Sequence, residues 1–335
     1  MNADFAMKEF VAHRALRNPH AMTIAAVFWR RGCPLLPASQ TRLFETEPGT
    51  QVRAECHWQK DAQSRATLVV LHGLEGSSES GYIMGTAERA WLAGFNVVRL
   101  NQRNCGGTER LTPTIYHSGM SGDIRAVISE LIALGGMAGI FAVGFSMGGN
   151  LVLKMAGEWG SEAPHELRGV VAIAPALDLE ACAQALEAPQ NFLYERHFVM
   201  RLKERIARKA RIFPEVYSGI KGLAGVRTVR EYDDVVTAPL AGFRDASDYY
   251  ARSSAGPLLG RIARPTMILT AEDDPIVPIA SIRRAIPERN GRVRLLSTRH
   301  GGHCAFISAS GEERFWSEGR VVDFCVEVSA GAESL

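Results

Sequence analysis

The 335-residue chain has no long hydrophobic run. Its apolar stretch at residues 21–29 spans only nine positions and contains Thr23, whereas a membrane-spanning helix needs about 20 apolar residues. Residues 1–5 lack the basic start and the apolar core of a secretory signal. We therefore expect a cytoplasmic protein whose residues 21–29 belong to a helix packed on the main domain.

Strong net charge, paired cysteines, internal repeats and low-complexity linkers are also missing. The formal net charge is only +2, which gives no reason to expect a nucleic acid as partner. Six cysteines are scattered without paired spacing, so we expect reduced thiols, several of them in the core. Cys105 and Cys304 lie near predicted site loops, and we interpret both as small residues that face the core.

The most informative motif is Gly-Phe-Ser-Met-Gly at residues 144–148. The apolar run at 140–143 precedes it and predicts a strand, and residues 149–155 predict a helix. A serine with glycines two residues before and after it, on a strand-to-helix turn, is the nucleophile elbow of the α/β-hydrolase fold. The pattern favours Ser146 as a nucleophile over an idle serine in a glycine-rich turn.

A serine nucleophile needs a base and an acid that orients the base, and on this fold they follow in the order Ser, Asp or Glu, His. The predicted strand at 265–270 leads into Asp273 and Asp274, of which we favour Asp274 as the acid. The predicted strand at 292–296 leads to His300 and His303, of which we favour His303 as the base because two glycines precede it. The His-x-x-His spacing does not match a zinc helix, so no metal is expected.

The tetrahedral intermediate needs two backbone N–H groups, which form the oxyanion hole. We predict that Met147 and Leu74 supply them, the latter from the loop at residues 72–78 (His-Gly-Leu-Glu-Gly-Ser-Ser). We expect His72 to brace this loop rather than to transfer protons. The loop lacks the Gly-Lys-Ser/Thr ending of a P-loop. No nucleotide or other cofactor is therefore expected.

The remaining pattern predicts an α/β architecture with a mostly parallel central sheet and helices on both faces. A hairpin at 42–46 and 52–58, the second as a half-buried edge strand, precedes strands near 66–71, 96–100, 139–145, 169–174, 265–270 and 292–296. Ile124, Val127, Ile128, Leu131 and Leu134 have helical spacing. We expect Ser121 to be the N-cap of that helix.

The alternation of strands and helices stops between residues 176 and 260, which predicts a helical cap inserted into the core. One helix there places Phe198, Leu202 and Ile206 on a stripe. Seven basic residues surround that stripe: Arg196, Arg201, Lys203, Arg205, Arg208, Lys209 and Arg211. They are interpreted either as a solvated outer face or as a basic amphipathic surface for transient contact with a membrane.

The chain resembles the YheT-like branch of the α/β-hydrolases, which also contains the ABHD lipid hydrolases. The resemblance covers nearly the whole chain. It is carried by residues 17–20 with Thr23, 72–78, 116–119 with Asp123, 144–150, 248–250 with Ser253, 273–275 and 301–303. It implies a Ser146–Asp274–His303 triad acting on carboxylic esters of medium or long acyl chains, and Tyr116, His117 and Asp123 as residues that brace the site.

Four segments follow from these predictions: an N-terminal helical extension at 1–41, a first core part at 42–175, the cap at 176–260 and a second core part at 261–335. The predicted function is that of a serine esterase on a small-molecule or lipid ester. Two alternatives remain open. One is an acyltransferase that passes the acyl group to an alcohol, and the other is a catalytically silent protein that holds a lipid.

Overall fold

The computed structural model describes residues 9–29, 31–135 and 137–332, without the side chains of residues 134, 135 and 332. The expectations for residues 1–5 and for the side chain of Leu134 lie outside the described residues. Within the described residues, eight strands form one sheet in the order β1-β2-β4-β3-β5-β6-β7-β8. The strands are β1 Gln40–Glu47, β2 Thr50–His57, β3 Thr67–Leu71, β4 Asn96–Leu100, β5 Ile140–Phe145, β6 Leu167–Ile173, β7 Thr266–Ala271 and β8 Val293–Thr298.

Over the ranges that the structure describes, helix α1 precedes β1, and from β3 onward one α-helix follows each strand, except after β6, where six follow. They are α1 Pro19–Phe28, α2 Gly81–Leu92, α3 Ser121–Gly135, α4 Met147–Trp159, α5 Leu179–Leu186, α6 Phe192–Ile212, α7 Pro214–Tyr217, α8 Val229–Tyr232, α9 Ala238–Ala241, α10 Ala246–Ser253, α11 Ile279–Ala285 and α12 Trp316–Ala332. A π-helical turn, Asp233–Thr237, joins α8 to α9. We call the segment α5–α10, which lies between β6 and β7, the helical insertion.

The sheet is antiparallel at one end and parallel elsewhere. β2 pairs antiparallel with both β1 and β4, and all pairs from β4 to β8 are parallel. Long apolar side chains cover both faces of the parallel strands, as their sequences predict. On β3, Val69 and Leu71 pack with α3 and α4, whereas Leu68 and Val70 pack with α2 and α12. The mostly parallel sheet with helices on both faces is therefore confirmed.

Two local predictions were wrong. The second strand of the hairpin, β2, is not an edge strand, because β1 lies outside it and occupies the edge. Its alternating burial is the same as expected for an edge strand, since only one of its faces contacts the core. Ser121 is the first residue of α3 rather than its N-cap, and its hydroxyl donates to Glu158 instead.

Helix α1 packs on the domain through a narrow face. Met22 is fully buried with Ala305 and Ile307, while Val27 and Phe28 on the opposite side are 76% and 78% exposed. None of the helices in the described part of the chain is long and apolar enough to cross a bilayer.

The helical insertion contradicts the interpretation of its basic residues as one continuous outer face. Arg205 and Lys209 on α6 are buried. The Lys209 ammonium donates to the Asn104 side chain and to the carbonyls of Glu109 and Thr112. Both residues lie on the same face of α6 as the buried Leu202, one and two turns after it. Their side chains therefore point inward and connect the insertion to the core.

Candidate active site

The parallel strands bring their carboxyl ends to one edge of the sheet, and the predicted site residues follow those ends. Ser146 comes directly after β5, and the loop with Leu74 follows β3. Asp274 lies three residues beyond β7, and His303 lies five residues beyond β8. Ligands of open α/β sheets bind at this edge, and these residues line one common cavity or lie beside it.

Ser146 has a left-handed backbone, with φ of 53°, which is unusual for a residue with a side chain. The flanking glycines allow this turn. A Cβ on Gly144 would lie 2.2 Å from the Gly148 carbonyl oxygen, and a Cβ on Gly148 would lie 2.5 Å from the His72 carbonyl oxygen. Helix α4 therefore lies too close to β5 for a side chain at residue 144 and too close to the end of β3 for one at residue 148. The turn lifts the serine Oγ clear of the sheet.

The structure brings Ser146, His303 and Asp274 into one hydrogen-bonded row. His303 Nε2 lies 2.9 Å from Ser146 Oγ, and His303 Nδ1 lies 2.9 Å from Asp274 Oδ2. The other carboxylate oxygen of Asp274 accepts the backbone N–H groups of Ile276 and Val277. The acid is therefore fixed by its own loop, and the imidazole is fixed by the acid.

The ionisation of His303 is governed by two opposing effects. Burial favours the neutral imidazole, but the Asp274 carboxylate outweighs burial and raises the pKa of His303 well above its usual value. An imidazole stabilised as a cation is what a general base needs after it has accepted the serine proton.

The alternative acid and base form a separate pair. Asp273 Oδ2 lies 3.0 Å from His300 Nδ1, and Asp273 Oδ1 accepts the Gly302 N–H. Asp273 thus holds the loop that carries His303, and neither Asp273 nor His300 lines the cavity at Ser146.

Helix α1 also holds the loop of His303, which the residue pattern did not predict. The Thr23 hydroxyl accepts the His303 N–H at 2.9 Å and donates to the Pro19 carbonyl. A Cβ on Gly302 would lie 2.7 Å from the Thr23 hydroxyl. The close contact explains why a glycine precedes His303 at this point of the loop.

The predicted oxyanion donors differ from their neighbours in hydrogen bonding. The N–H groups of Gly73 and Glu75 donate to Tyr82 and Tyr116. In the described part of the chain, no acceptor is assigned to the N–H of Leu74 or Met147. Both residues line the cavity together with Ser146 and His303.

His72 fixes the peptide that carries the Leu74 N–H. Its Nδ1 lies 2.8 Å from the Gly73 carbonyl oxygen, and its Nε2 accepts the Gln102 N–H. Carbonyl and N–H of a trans peptide point in opposite directions, so the Leu74 N–H points away from His72. Burial lowers the pKa of His72 to about 4, and the ring is therefore neutral at pH 7.

The comparisons with known proteins identify the family. A model of the Alpha/beta hydrolase family matches residues 68–314. This chain belongs to the α/β-hydrolase family. It is 35% identical over 324 residues to "Putative esterase YheT" of Escherichia coli (strain K12), a match that covers 94% of this chain and 92% of that protein.

Two further relatives extend the comparison of this α/β-hydrolase. The phospholipase ABHD3 of Mus musculus is 30% identical over 247 residues, which cover 74% of this chain and 60% of that longer protein. The solved esterase Pf2001 of Pyrococcus furiosus superposes with a TM-score of 0.58 at 17% identity, covering 86% of this chain and 90% of that one. The structural likeness shows the fold.

A buried ion pair connects the helical insertion of this α/β-hydrolase to the loop of Leu74. Arg205 on α6 donates from Nε and Nη2 to the two carboxylate oxygens of Glu75 at 2.8 and 2.9 Å. Tyr116 donates to the same carboxylate, and its ring lies under the guanidinium. Burial alone would raise the pKa of Glu75, but Arg205 outweighs burial and lowers that pKa.

The cavity over Ser146 is mostly apolar, and the helical insertion supplies much of its wall. Leu179, Cys182 and Leu186 come from α5, and Phe198 and Leu202 come from α6. A second group of lining residues is polar and lies on the π-helical turn and on α10. The sequence pattern predicts no catalytic residue in either element.

The residues that the resemblance named as braces of the α/β-hydrolase site form loop contacts. Asp123 accepts two hydrogen bonds from Arg103 at 2.7 and 2.5 Å. His117 Nδ1 accepts the Gly119 N–H, and burial lowers the pKa of His117 to about 4.

All six cysteines are free. Cys105 is buried, whereas the half-buried Cys304 places its sulfur 3.8 Å from His303 Nε2.

Proposed function

We propose that the protein is a serine esterase that cleaves carboxylic esters through an acyl-enzyme intermediate. The observation that carries this proposal is the row Ser146–His303–Asp274, with both hydrogen bonds at 2.9 Å. The names of the relatives, an esterase and a phospholipase, support the same class of reaction. The protein is thus a carboxylic ester hydrolase of the α/β-hydrolase family.

The mechanism follows from the positions of the protons. His303 Nε2 takes the proton of Ser146 as Oγ attacks the ester carbonyl carbon, and Asp274 stabilises the imidazolium that forms. The imidazolium then gives this proton to the leaving alcohol. A water molecule, deprotonated by His303, attacks the acyl-serine, and release of the acid restores the free serine.

The oxyanion of both tetrahedral intermediates is bound by the N–H groups of Leu74 and Met147. Two facts support this role: both groups are free of acceptors in the described structure, and both residues line the cavity. Removal of one such donor typically slows turnover by about 10²–10³-fold.

The substrate is an ester with a medium or long acyl chain, and residues 176–260 act as the cap. Support comes from the apolar side chains that α5 and α6 place over Ser146, because an aliphatic chain gains free energy when it leaves water for such a surface. The chain divides further into a segment 1–41, whose described residues 9–29 and 31–41 form an extension packed on the core, and the core itself, which comprises 42–175 and 261–335.

The test is a series of p-nitrophenyl esters from acetate to palmitate, measured on the wild type and on Ser146→Ala. We expect the highest turnover at medium chains and a loss of about 10⁴-fold or more in the variant. Ser161→Ala, at an exposed serine, is the matched control and should behave as the wild type. Full turnover in Ser146→Ala would refute the assignment.

Labelling with a fluorophosphonate separates an enzyme from a silent lipid-binding protein, since only an activated serine reacts. We expect labelling of the wild type and none of Ser146→Ala. Product analysis in the presence of glycerol separates hydrolysis from acyl transfer. An ester yield above that expected from the glycerol concentration would assign the acyltransferase reaction instead.

We further propose transient contact between α6 and a membrane surface. Its exposed face carries Phe192, Leu193 and Met200, with Arg196 and Arg201 beside them, a combination that favours anionic lipid interfaces. Co-sedimentation with anionic vesicles should exceed that with zwitterionic vesicles and should fall in Leu193→Ser. Equal sedimentation with both would contradict the proposal.

A further inference from the structure

A carboxyl group lies in the wall of the cavity over Ser146, where the esterase mechanism makes no use of it. Asp233 begins the π-helical turn of the helical insertion and is 7% exposed. It lines the same cavity as Ser146 and His303. A carboxyl in an apolar cavity costs free energy, so its position calls for a physical reason.

Two hydroxyl groups hold this carboxyl in place. The Thr237 hydroxyl donates to Asp233 Oδ1 at 2.6 Å, and the Tyr250 hydroxyl donates to Asp233 Oδ2 at 2.8 Å. Thr237 is four residues further along the π-helical turn, and all three residues line the cavity. A carboxylate offers about four acceptor positions. Two therefore remain for a group that enters the cavity.

No cation of the described residues is ion-paired with Asp233. The nearest arginine in sequence, Arg230, pairs with Glu180 and Glu187 instead. Arg205, which also lines the cavity, is engaged by Glu75. Burial raises the pKa of Asp233 to about 7, because it outweighs the opposing hydrogen bonds from Thr237 and Tyr250 and the weaker effect of Arg230. At neutral pH the group is thus present both as acid and as carboxylate.

We propose that Asp233, Thr237 and Tyr250 form a polar subsite that binds a hydroxyl group of the ester substrate. A hydroxyl group suits both forms of the carboxyl, because it donates to the carboxylate and accepts from the acid. An ammonium group suits only the carboxylate. It would also add a second cation near the Arg230 guanidinium, which lies 5.3 Å from the centre of the Tyr250 ring.

The subsite rests on the proposed esterase function and deepens it into a substrate preference. The hydroxyl group can belong to the acyl chain or to the alcohol part of the ester, and the chemistry at Asp233 is the same in both cases. A substrate with this group gains hydrogen bonds to Asp233, whereas a plain substrate leaves the remaining acceptor positions of the buried carboxyl unfilled. Enzymes discriminate strongly in this situation, because unpaired buried polar groups are costly.

The experiment compares kcat/KM for two matched pairs of esters. The first pair is a p-nitrophenyl alkanoate and its ω-hydroxy analogue, and the second is a propyl and a glyceryl ester of one fatty acid. We expect the wild type to prefer the hydroxylated member of one pair by about tenfold or more. The pair that responds identifies the source of the hydroxyl group.

The variants locate the preference. Asp233→Leu should reduce the preference to near one, and Asp233→Asn should retain part of it because the amide still forms hydrogen bonds. Asp234→Asn is the matched control: this exposed neighbour accepts the Ala246 N–H and does not line the cavity, so the preference should persist. Fluorophosphonate labelling of Ser146 in each variant shows that the site is folded.

Three results would overturn the subsite: equal rates within both pairs in the wild type, an undiminished preference in Asp233→Leu, or a stronger preference for an aminoalkyl ester than for a hydroxyalkyl ester. Each is distinguishable from failure of the esterase proposal. In that case Ser146→Ala would retain turnover on all the esters, including the plain ones.

Discussion

At the scale of single residues, the nucleophile depends on glycines that cannot be replaced. A Cβ on Gly144 would meet the backbone carbonyl oxygen of Gly148 at 2.2 Å, and no side chain can move aside to relieve that contact. A Cβ on Gly73 would meet the Cβ of Ser146 at 3.0 Å. The first contact disturbs the fold, and the second disturbs the serine itself.

Replacement of Gly144 by alanine should therefore destabilise the protein by about 3 kcal/mol or more, because strand β5 and helix α4 must separate. Gly122→Ala is the control, since a Cβ there meets nothing within 4 Å and the residue lies in helix α3. It should gain about 0.5 kcal/mol from its helix propensity. Urea unfolding of both variants measures the difference, and equal stabilities would contradict the geometry.

At the scale of elements, the pair of Arg205 and Glu75 joins the helical insertion to the oxyanion loop. Both side chains are buried, at 5% and 3% exposure. Removal of one partner leaves a buried charge without compensation, which costs more than the pair itself contributes. Glu75 directly follows Leu74, so a shift of this carboxylate also moves the proposed oxyanion donor.

Arg205→Met should thus destabilise the protein by about 3–5 kcal/mol and slow ester turnover. The loss for Arg205→Met with Glu75→Gln should be smaller than the sum of the two single losses, which a double-mutant cycle measures. Arg201→Met on the same helix is the control, because Arg201 is 45% exposed and pairs with Glu204 at the surface. It should cost about 0.5 kcal/mol or less. Additive losses in the cycle would show that the two residues act independently.

Most strands and the turn at Ser146 could be predicted from the sequence. Continuous apolar runs predicted β3, β5, β6 and β7, because strands buried on both faces leave few alternatives. The glycines around Ser146 predicted the turn, because close backbone approach has a specific residue requirement. The position of β2 inside the sheet could not be predicted. The alternation of apolar and polar residues shows which face of a strand is buried, but not which strands lie beside it.

The polar interior was harder to predict, for a physical reason that differs from residue to residue. Arg205 and Lys209 share helical spacing with Leu202 and Ile206, and this spacing could have indicated that they point inward. Their positive charge, taken alone, favoured side chains exposed to solvent. Asp233 and Asp234 are adjacent and chemically identical, and the π-helical turn that buries only the first has no sequence periodicity of its own.

At the scale of the whole molecule, two buried groups give the stability opposite dependences on pH. Burial, with the Arg99 guanidinium, lowers the pKa of His57 from 6.5 to about 4. The unfolded chain takes up this proton first as the pH falls, so stability is complete above pH 6.5 and is lost toward pH 4. The loss is about 3 kcal/mol.

Asp233 acts in the other direction. Burial raises its pKa from 3.8 to about 7, although its two hydrogen bonds oppose the rise. The folded protein therefore holds this proton while the unfolded chain has released it, and stability is lost as the pH rises from 3.8 to 7. The loss is about 4 kcal/mol. Within the same pH range, the contributions of His57 and Asp233 nearly offset each other.

Single substitutions should reveal the opposite pH dependences of stability that Asp233 and His57 cause. Relative to the wild type, Asp233→Asn should become more stable by about 4 kcal/mol between pH 4 and pH 7, because it no longer loses a proton that only the folded state holds. His57→Gln should become less stable relative to the wild type by about 3 kcal/mol between pH 4 and pH 6.5, since it lacks the histidine that weakens the wild type in acid. Urea unfolding across this pH range measures both differences, and all other titrating groups cancel in the comparison. Slopes of the same sign for Asp233→Asn and His57→Gln would contradict the argument.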